Sequence, residues 1–173
     1  MFCYNYQQQG LLLCKSLERR DNKMIHKEFI FTELEGSTKE QVITQLADRL
    51  LAAGYVKDTY RNAVLDREKE YPTGLSLGEY CIAIPHTFAA HVNHPAIAVA
   101  KLKNPVSFTE MGSTDTDLDV SLVMMMAISN PEEQVGLLKK ILRLFSDEDI
   151  LKTLMASSTS SELYELLRHI DEP

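Results

Sequence analysis

No apolar run in this 173-residue chain approaches the ~20 residues that a membrane-crossing helix requires, so membrane insertion has no support. An excess of basic charge is missing too. The formal net charge is −7, whereas a protein that grips phosphate backbones clusters Lys and Arg, so nucleic acid is not an expected partner. Cysteine is scarce: Cys3, Cys14 and Cys81 are an odd set with no CxxC spacing. That argues against a disulfide framework and for a reducing compartment, the cytoplasm. The phosphate loops GxGxxG and GxxxxGKS/T, the GxSxG elbow and the HExxH helix are all absent, and Ser76 and Ser107 have no recognisable catalytic partners. His86, His91 and His94 lie within nine residues, but HxxxxHxxH on a loop matches no standard zinc spacing. No metal or other cofactor is expected.

What is present suits one globular body. The chain is 45% hydrophobic and 25% charged, enough apolar residues for a sizeable core. Residues 1–23 stand apart: Lys15, Arg19, Arg20 and Lys23 outnumber Glu18 and Asp21, leaving the acidic excess to the remainder. The GLLLC stretch within them has no basic residue before it and falls short of the ~7–15 apolar residues of a secretion signal. The expected division is a flexible or accessory extension over 1–23 and a domain over 24–173.

Periodicity gives the elements. KEFIFTEL (27–34) reads as a first strand. Ser37-Thr38-Lys39-Glu40 has capping-box spacing, Val42, Leu46 and Leu50 share one helix face, and Gly54 suits the C′ position. A second helix is expected over 58–70, with Tyr60, Val64 and Leu65 inward, closed by a turn at Pro72-Thr73-Gly74. CIAI (81–84) and PAIAVAKL (95–102) read as core strands, and 103–118 as loop with a short strand at 106–108. DVSLVMMMAI (119–128) is a central strand whose Met124, Met125 and Met126 read as core rather than a soft-metal site. Asn130-Pro131-Glu132-Glu133 starts a helix with a buried stripe of Val135, Leu138, Ile141, Leu142 and Phe145. Two more helices follow over 147–155 and 160–169. The sum is a single α/β domain.

One residue raises a chemical question. Pro85 cannot donate to a sheet ladder, so the CIAI strand should stop there and present His86 as the first side chain beyond its end. An imidazole with a pKa near ~6.5 is mostly neutral at pH 7, and its unprotonated nitrogen can attack a phosphoryl group. Arg67 is a candidate fork for the phosphoryl oxygens. On the residues alone, a structural histidine and a nucleophile are both open readings.

The run LDREKEYPTGLSLGEYCIAIPH (65–86) resembles the enzyme IIA family of the bacterial phosphoenolpyruvate-dependent sugar phosphotransferase system (PTS), in its fructose/mannitol-type class. Arg67-Glu68, Pro72-Thr73-Gly74 and Ile84-Pro85-His86 follow the family's order, and the resemblance continues through HPAIAVAKLKNPVSF and NPEEQVGLLKKILRLFSDEDILKTL. Its AISNPEEQ segment is most similar to the galactitol-type branch. The resemblance implies the mannitol-type IIA fold, a central mixed β-sheet with helices on both faces. It also implies a phosphotransferase component that takes phosphate from the phosphocarrier protein HPr onto His86. The group would then pass to a cysteine of a IIB component, while the membrane IIC component binds the sugar. Arg67 would hold the phosphoryl oxygens. Two positions depart from the mannitol-type pattern: Gln134 replaces a second histidine, and Ala89 and Ala90 stand where an acidic residue is found. Gln134 offers a hydrogen-bond donor but no charge, and His91 and His94 are the nearby residues that could compensate. TFAAHV (87–92) reads either as a docking rim or, through Phe88, as core. The rival readings are a PTS-related sensor that regulates a transporter or transcription factor, and a binding module with an inert His86.

Overall fold

In the computed structural model, residues 23–171 are described; the extension expected over 1–23 therefore lies almost wholly outside the described residues. β1 (Ile25–Leu34) leads to α1 (Lys39–Ala52). The helix start is one residue later than the capping-box spacing suggests. Thr38 is the N-cap and accepts from the Gln41 N–H, while the Gln41 side chain accepts from the Ser37 N–H rather than from Thr38. At the other end Gly54 adopts φ 76°, and the Gly54 and Tyr55 N–H groups donate to Leu51 and Leu50. Those two bonds are the Schellman pattern, which glycine permits without a Cβ penalty. Val42, Ile43, Leu46, Ala47 and Leu50 make the fully buried face, each large side chain contributing about 1.5–3 kcal/mol of burial.

α2 (Tyr60–Glu70) buries Tyr60, Val64 and Glu68, with Leu65 only half-buried. The Pro72-Thr73-Gly74 turn then flows into a strand absent from the sequence reading, β2 (Gly74–Leu77), which hairpins onto β3 (Tyr80–Ala83). The stretch expected to be loop over 103–118 is mostly strand: β4 (Ala96–Thr109) and β5 (Asp117–Ala127) form a long antiparallel pair. Their register shifts between Lys101 and Val106. Pro105 sits in that irregularity, where a missing N–H donor is tolerated.

The sheet order is β1-β4-β5-β3-β2, with β1/β4 and β3/β5 parallel and β4/β5 and β2/β3 antiparallel. One apolar cluster lies between the sheet and α1–α2. A second gathers Ile82, Ile97, Leu122, Met124 and Met126 with α3 (Pro131–Phe145), α4 (Glu148–Ala156) and α5 (Ser160–Leu167). The expected single α/β domain with a mixed sheet covered on both faces is what forms, and Met124, Met125 and Met126 are all fully buried core. The α3 stripe needs correction. Leu137, Ile141 and Phe145 are its buried line, and Val135 is 60% exposed. At 100° per residue Val135 lies about 120° around the helix from Ile141, off the face that meets the sheet.

Candidate functional site

The site is built at the carboxyl ends of the parallel neighbours β3 and β5, the place where open α/β sheets leave a crevice. β3 ends at Ala83, but the chain keeps alignment with β5 beyond it. Pro85 O accepts from the Met126 N–H at 3.0 Å, and His86 pairs with Met126 as an isolated parallel bridge. The regular strand therefore ends at Ala83, earlier than the expected stop at Pro85, and the pairing with β5 picks up again at Pro85 and His86, whose side chain is presented there. Tyr60, fully buried on α2, donates its hydroxyl to Met126 O at 2.8 Å. Burial pushes that phenol far above its ordinary range, so it is a permanent donor that ties α2 to the strand end.

His86 is half-buried, and its Nδ1 lies 2.8 Å from Ile84 O. A carbonyl only accepts, so Nδ1 carries the proton and Nε2 carries the lone pair. Nε2 has no hydrogen-bond partner among the described residues. Desolvation lowers the His86 pKa below 6.5; the bond to Ile84 works in the opposite direction, and the positive charge of Arg67 adds to the lowering. The ring is thereby held neutral with one nitrogen available.

Arg67 is the neighbouring cation. Its guanidinium carbon lies 4.9 Å from the Tyr71 ring centroid and 4.9 Å from that of Phe88. Both rings are largely exposed, Tyr71 at 54% and Phe88 at 64%. Such stacking restrains a guanidinium without occupying its in-plane donors. Among the described residues Arg67 has no ion-pair partner. Phe88 therefore does not pack into the core. Tyr71 stands four residues after Arg67, at the spacing where helical side chains meet, and that signal was available in the sequence. The Phe88 contact crosses between elements and had no sequence signal.

His91 and His94 have partners of their own. His91 Nδ1 is 2.8 Å from Thr59 Oγ1, and His94 packs edge-on to Tyr55; both anchor the loop to the segment between α1 and α2. Gln134 falls in the first turn of α3, and its side chain lies outside the described residues. Among the described residues no group of three or more His, Cys, Asp or Glu could hold a metal.

A mixed sheet between two helical layers thus presents a half-buried histidine beyond a strand end, within electrostatic reach of a guanidinium that has no ion-pair partner among the described residues. Residues 23–170 match the family described as the phosphoenolpyruvate-dependent sugar phosphotransferase system, EIIA 2, and the chain belongs to that family. It is 35% identical over 127 residues to the galactitol-specific EIIA component of Escherichia coli (strain K12), a match covering 73% of this chain and 84% of that protein. The crystal structure of IIA mannitol from Escherichia coli is similar with a TM-score of 0.68 and 28% identity, covering 82% of this chain and 97% of that one. The complex of enzyme IIA-mannitol and phosphorylated enzyme IIB-mannitol from Escherichia coli contains a chain similar at TM-score 0.68 and 27% identity, covering 83% and 98%. IIA domains of this family are phosphotransferase components of sugar uptake that carry phosphohistidine.

Proposed function

We propose that His86 is the phosphorylated residue and that the chain relays phosphate from the phosphocarrier protein HPr to a IIB component. The observation that carries this reading is the Nδ1 bond to Ile84 O, which leaves the lone pair on Nε2. In the first step the Nε2 lone pair forms a bond to phosphorus as the donor's P–N bond breaks, and the donor nitrogen leaves with that electron pair. In the second, a cysteine thiolate of IIB attacks the same phosphorus and the P–Nε2 bond breaks, returning neutral His86. Arg67 donates to the phosphoryl oxygens in both steps and stabilises the charge spread over them. Gln134, in the first turn of the helix that follows β5, is the residue we assign as a second hydrogen-bond donor to the phosphoryl group.

The sugar is a polyol of the galactitol kind, bound by a membrane IIC component rather than by this chain; the galactitol-specific relative supports that choice. Residues 24–173 form the working domain, residues 1–23 an extension, and the cytoplasm is the compartment where such carriers meet. Incubation with phosphoenolpyruvate, the system's first enzyme and HPr tests the reading. The expected result is an acid-labile, base-stable phosphate on the chain that is absent from a folded His86→Ala variant. Retention of that phosphate by the variant would overturn the assignment.

A further inference from the structure

Glu68 is buried to 2% exposure, follows Arg67 directly on α2, and takes no part in the chemistry above. Its Oε1 accepts from the Thr73 N–H at 3.0 Å and its Oε2 from the Thr73 hydroxyl at 2.7 Å. Thr73, itself 3% exposed, accepts at its carbonyl from the Ile84 N–H at 3.3 Å. Ile84 O in turn accepts from His86 Nδ1–H at 2.8 Å. Four hydrogen bonds thus run unbroken from the carboxylate to the imidazole. We infer that Glu68 is a positioning residue for His86, fixing the Thr73–Ile84 junction so that the Ile84 carbonyl selects the imidazole tautomer with its lone pair on Nε2.

The relay works by position and not by charge. The N–H and C=O of one residue belong to different peptide groups, so polarisation at Thr73 N–H is not conjugated to Thr73 O, nor Ile84 N–H to Ile84 O. What travels is geometry. Two acceptors on Glu68 match two donors on Thr73, which fixes that residue against α2. From the far side, Gly74 is held by the β4–β5 hairpin, because Met111 N–H donates to Gly74 O at 2.7 Å. Ile84 meets a fixed carbonyl, and its own carbonyl is then aimed at the ring. The selection is needed, because a free neutral imidazole side chain favours the opposite tautomer, with its lone pair on Nδ1. One helix end therefore serves both jobs: Arg67 turns outward to the phosphoryl site and Glu68 turns inward to its support.

This inference rests on the proposed role of His86, but its first readout does not need phosphorylation. The experiment is long-range ¹H–¹⁵N correlation of ¹⁵N-histidine-labelled chain, above the imidazole titration, with the rate of phosphorylation by phosphoramidate as a small donor. Wild type is expected to show the Nδ1–H tautomer at His86. In Glu68→Ala the two tautomers mix and the rate falls ~10-fold or more, the scale of loss when a reacting atom is misplaced. Glu68→Gln keeps an acceptor for the Thr73 N–H and donates from its amide to the Thr73 hydroxyl, so it retains wild-type tautomer and rate. A folded Glu68→Ala with an unchanged tautomer and rate would overturn the inference, as would a Glu68→Gln as impaired as the alanine variant. Should Glu68→Ala not fold, Thr73→Val removes one of the two bonds; a smaller shift in the same direction supports the relay, and no shift overturns it. A wild-type chain inert to every phosphoryl donor would overturn the proposed function alone and leave the tautomer measurement to decide the positioning role.

Discussion

At the scale of single residues, the site rests on one neutral ring. The folded state lowers the His86 pKa below 6.5, chiefly by desolvation and further by Arg67, so the unfolded chain takes up that proton first as the pH falls. Stability contributed by the neutral ring is therefore complete above about 6.5 and is lost as the pH falls through the folded value. Removing the Arg67 charge is expected to raise the His86 titration midpoint, which an NMR pH titration of Arg67→Gln reads directly; a midpoint unmoved or lowered would separate the two residues. Glu68 runs the other way. Burial raises its pKa above 4.5 against the two bonds from Thr73, so its contribution to stability is full below 4.5 and is lost as the pH rises through the folded value. Urea midpoints of Glu68→Gln should gain on wild type as the pH climbs from 4.5 toward neutrality, because the amide has no charge to bury. A difference that is flat with pH would contradict this. The proposed pair, His86 and Arg67, could be singled out in the sequence because a proline marks the strand end before the one and the family resemblance marks Arg67-Glu68 for the other. The stacking of Phe88 and the link from Glu68 to Thr73 were not, since each depends on which residues the fold brings into contact.

At the scale of elements, strong periodicity was readable and exceptions to it were not. The α1 cap, its buried face and the glycine that closes it follow from spacing alone, within one residue at the N-cap. β2 was missed because GLSL is four residues long and follows a proline-glycine turn that masks it. β4 was cut short because Lys103, Asn104 and Pro105 look like loop, whereas the strand carries them through an irregularity in its register. Val135 was placed inside because it is apolar, although its helical angle faces it outward. Gly74 links these strands to the site. A Cβ there would lie 2.6 Å from Thr109 O, a backbone atom with no room to yield. Gly74→Ala is expected to cost about 1–3 kcal/mol in urea unfolding, the usual range for forced overpacking. A loss below a few tenths would mean that Gly74 and the end of β4 move apart easily, and with them the support beneath Thr73.

At the scale of the whole molecule, the sheet sorts structure from chemistry. Two apolar layers cover its faces, and the half-buried ring proposed to react stands beyond the carboxyl ends of β3 and β5. The exposed rings of Tyr71 and Phe88 flank the guanidinium on that same edge, and in the proposed relay they form the rim that each carrier touches briefly in turn. The α/β architecture was readable from strand and helix order, and the continuous apolar runs pointed to a sheet covered on both faces, but the mixed strand directions came from the family resemblance. The most direct measurement of the whole account is the bonding site of the phosphoryl group, read by ³¹P–¹⁵N-resolved NMR on chain phosphorylated through HPr. Phosphorus bonded to Nε2 of His86 is the predicted result; phosphorus on Nδ1, or on any other residue, would contradict it.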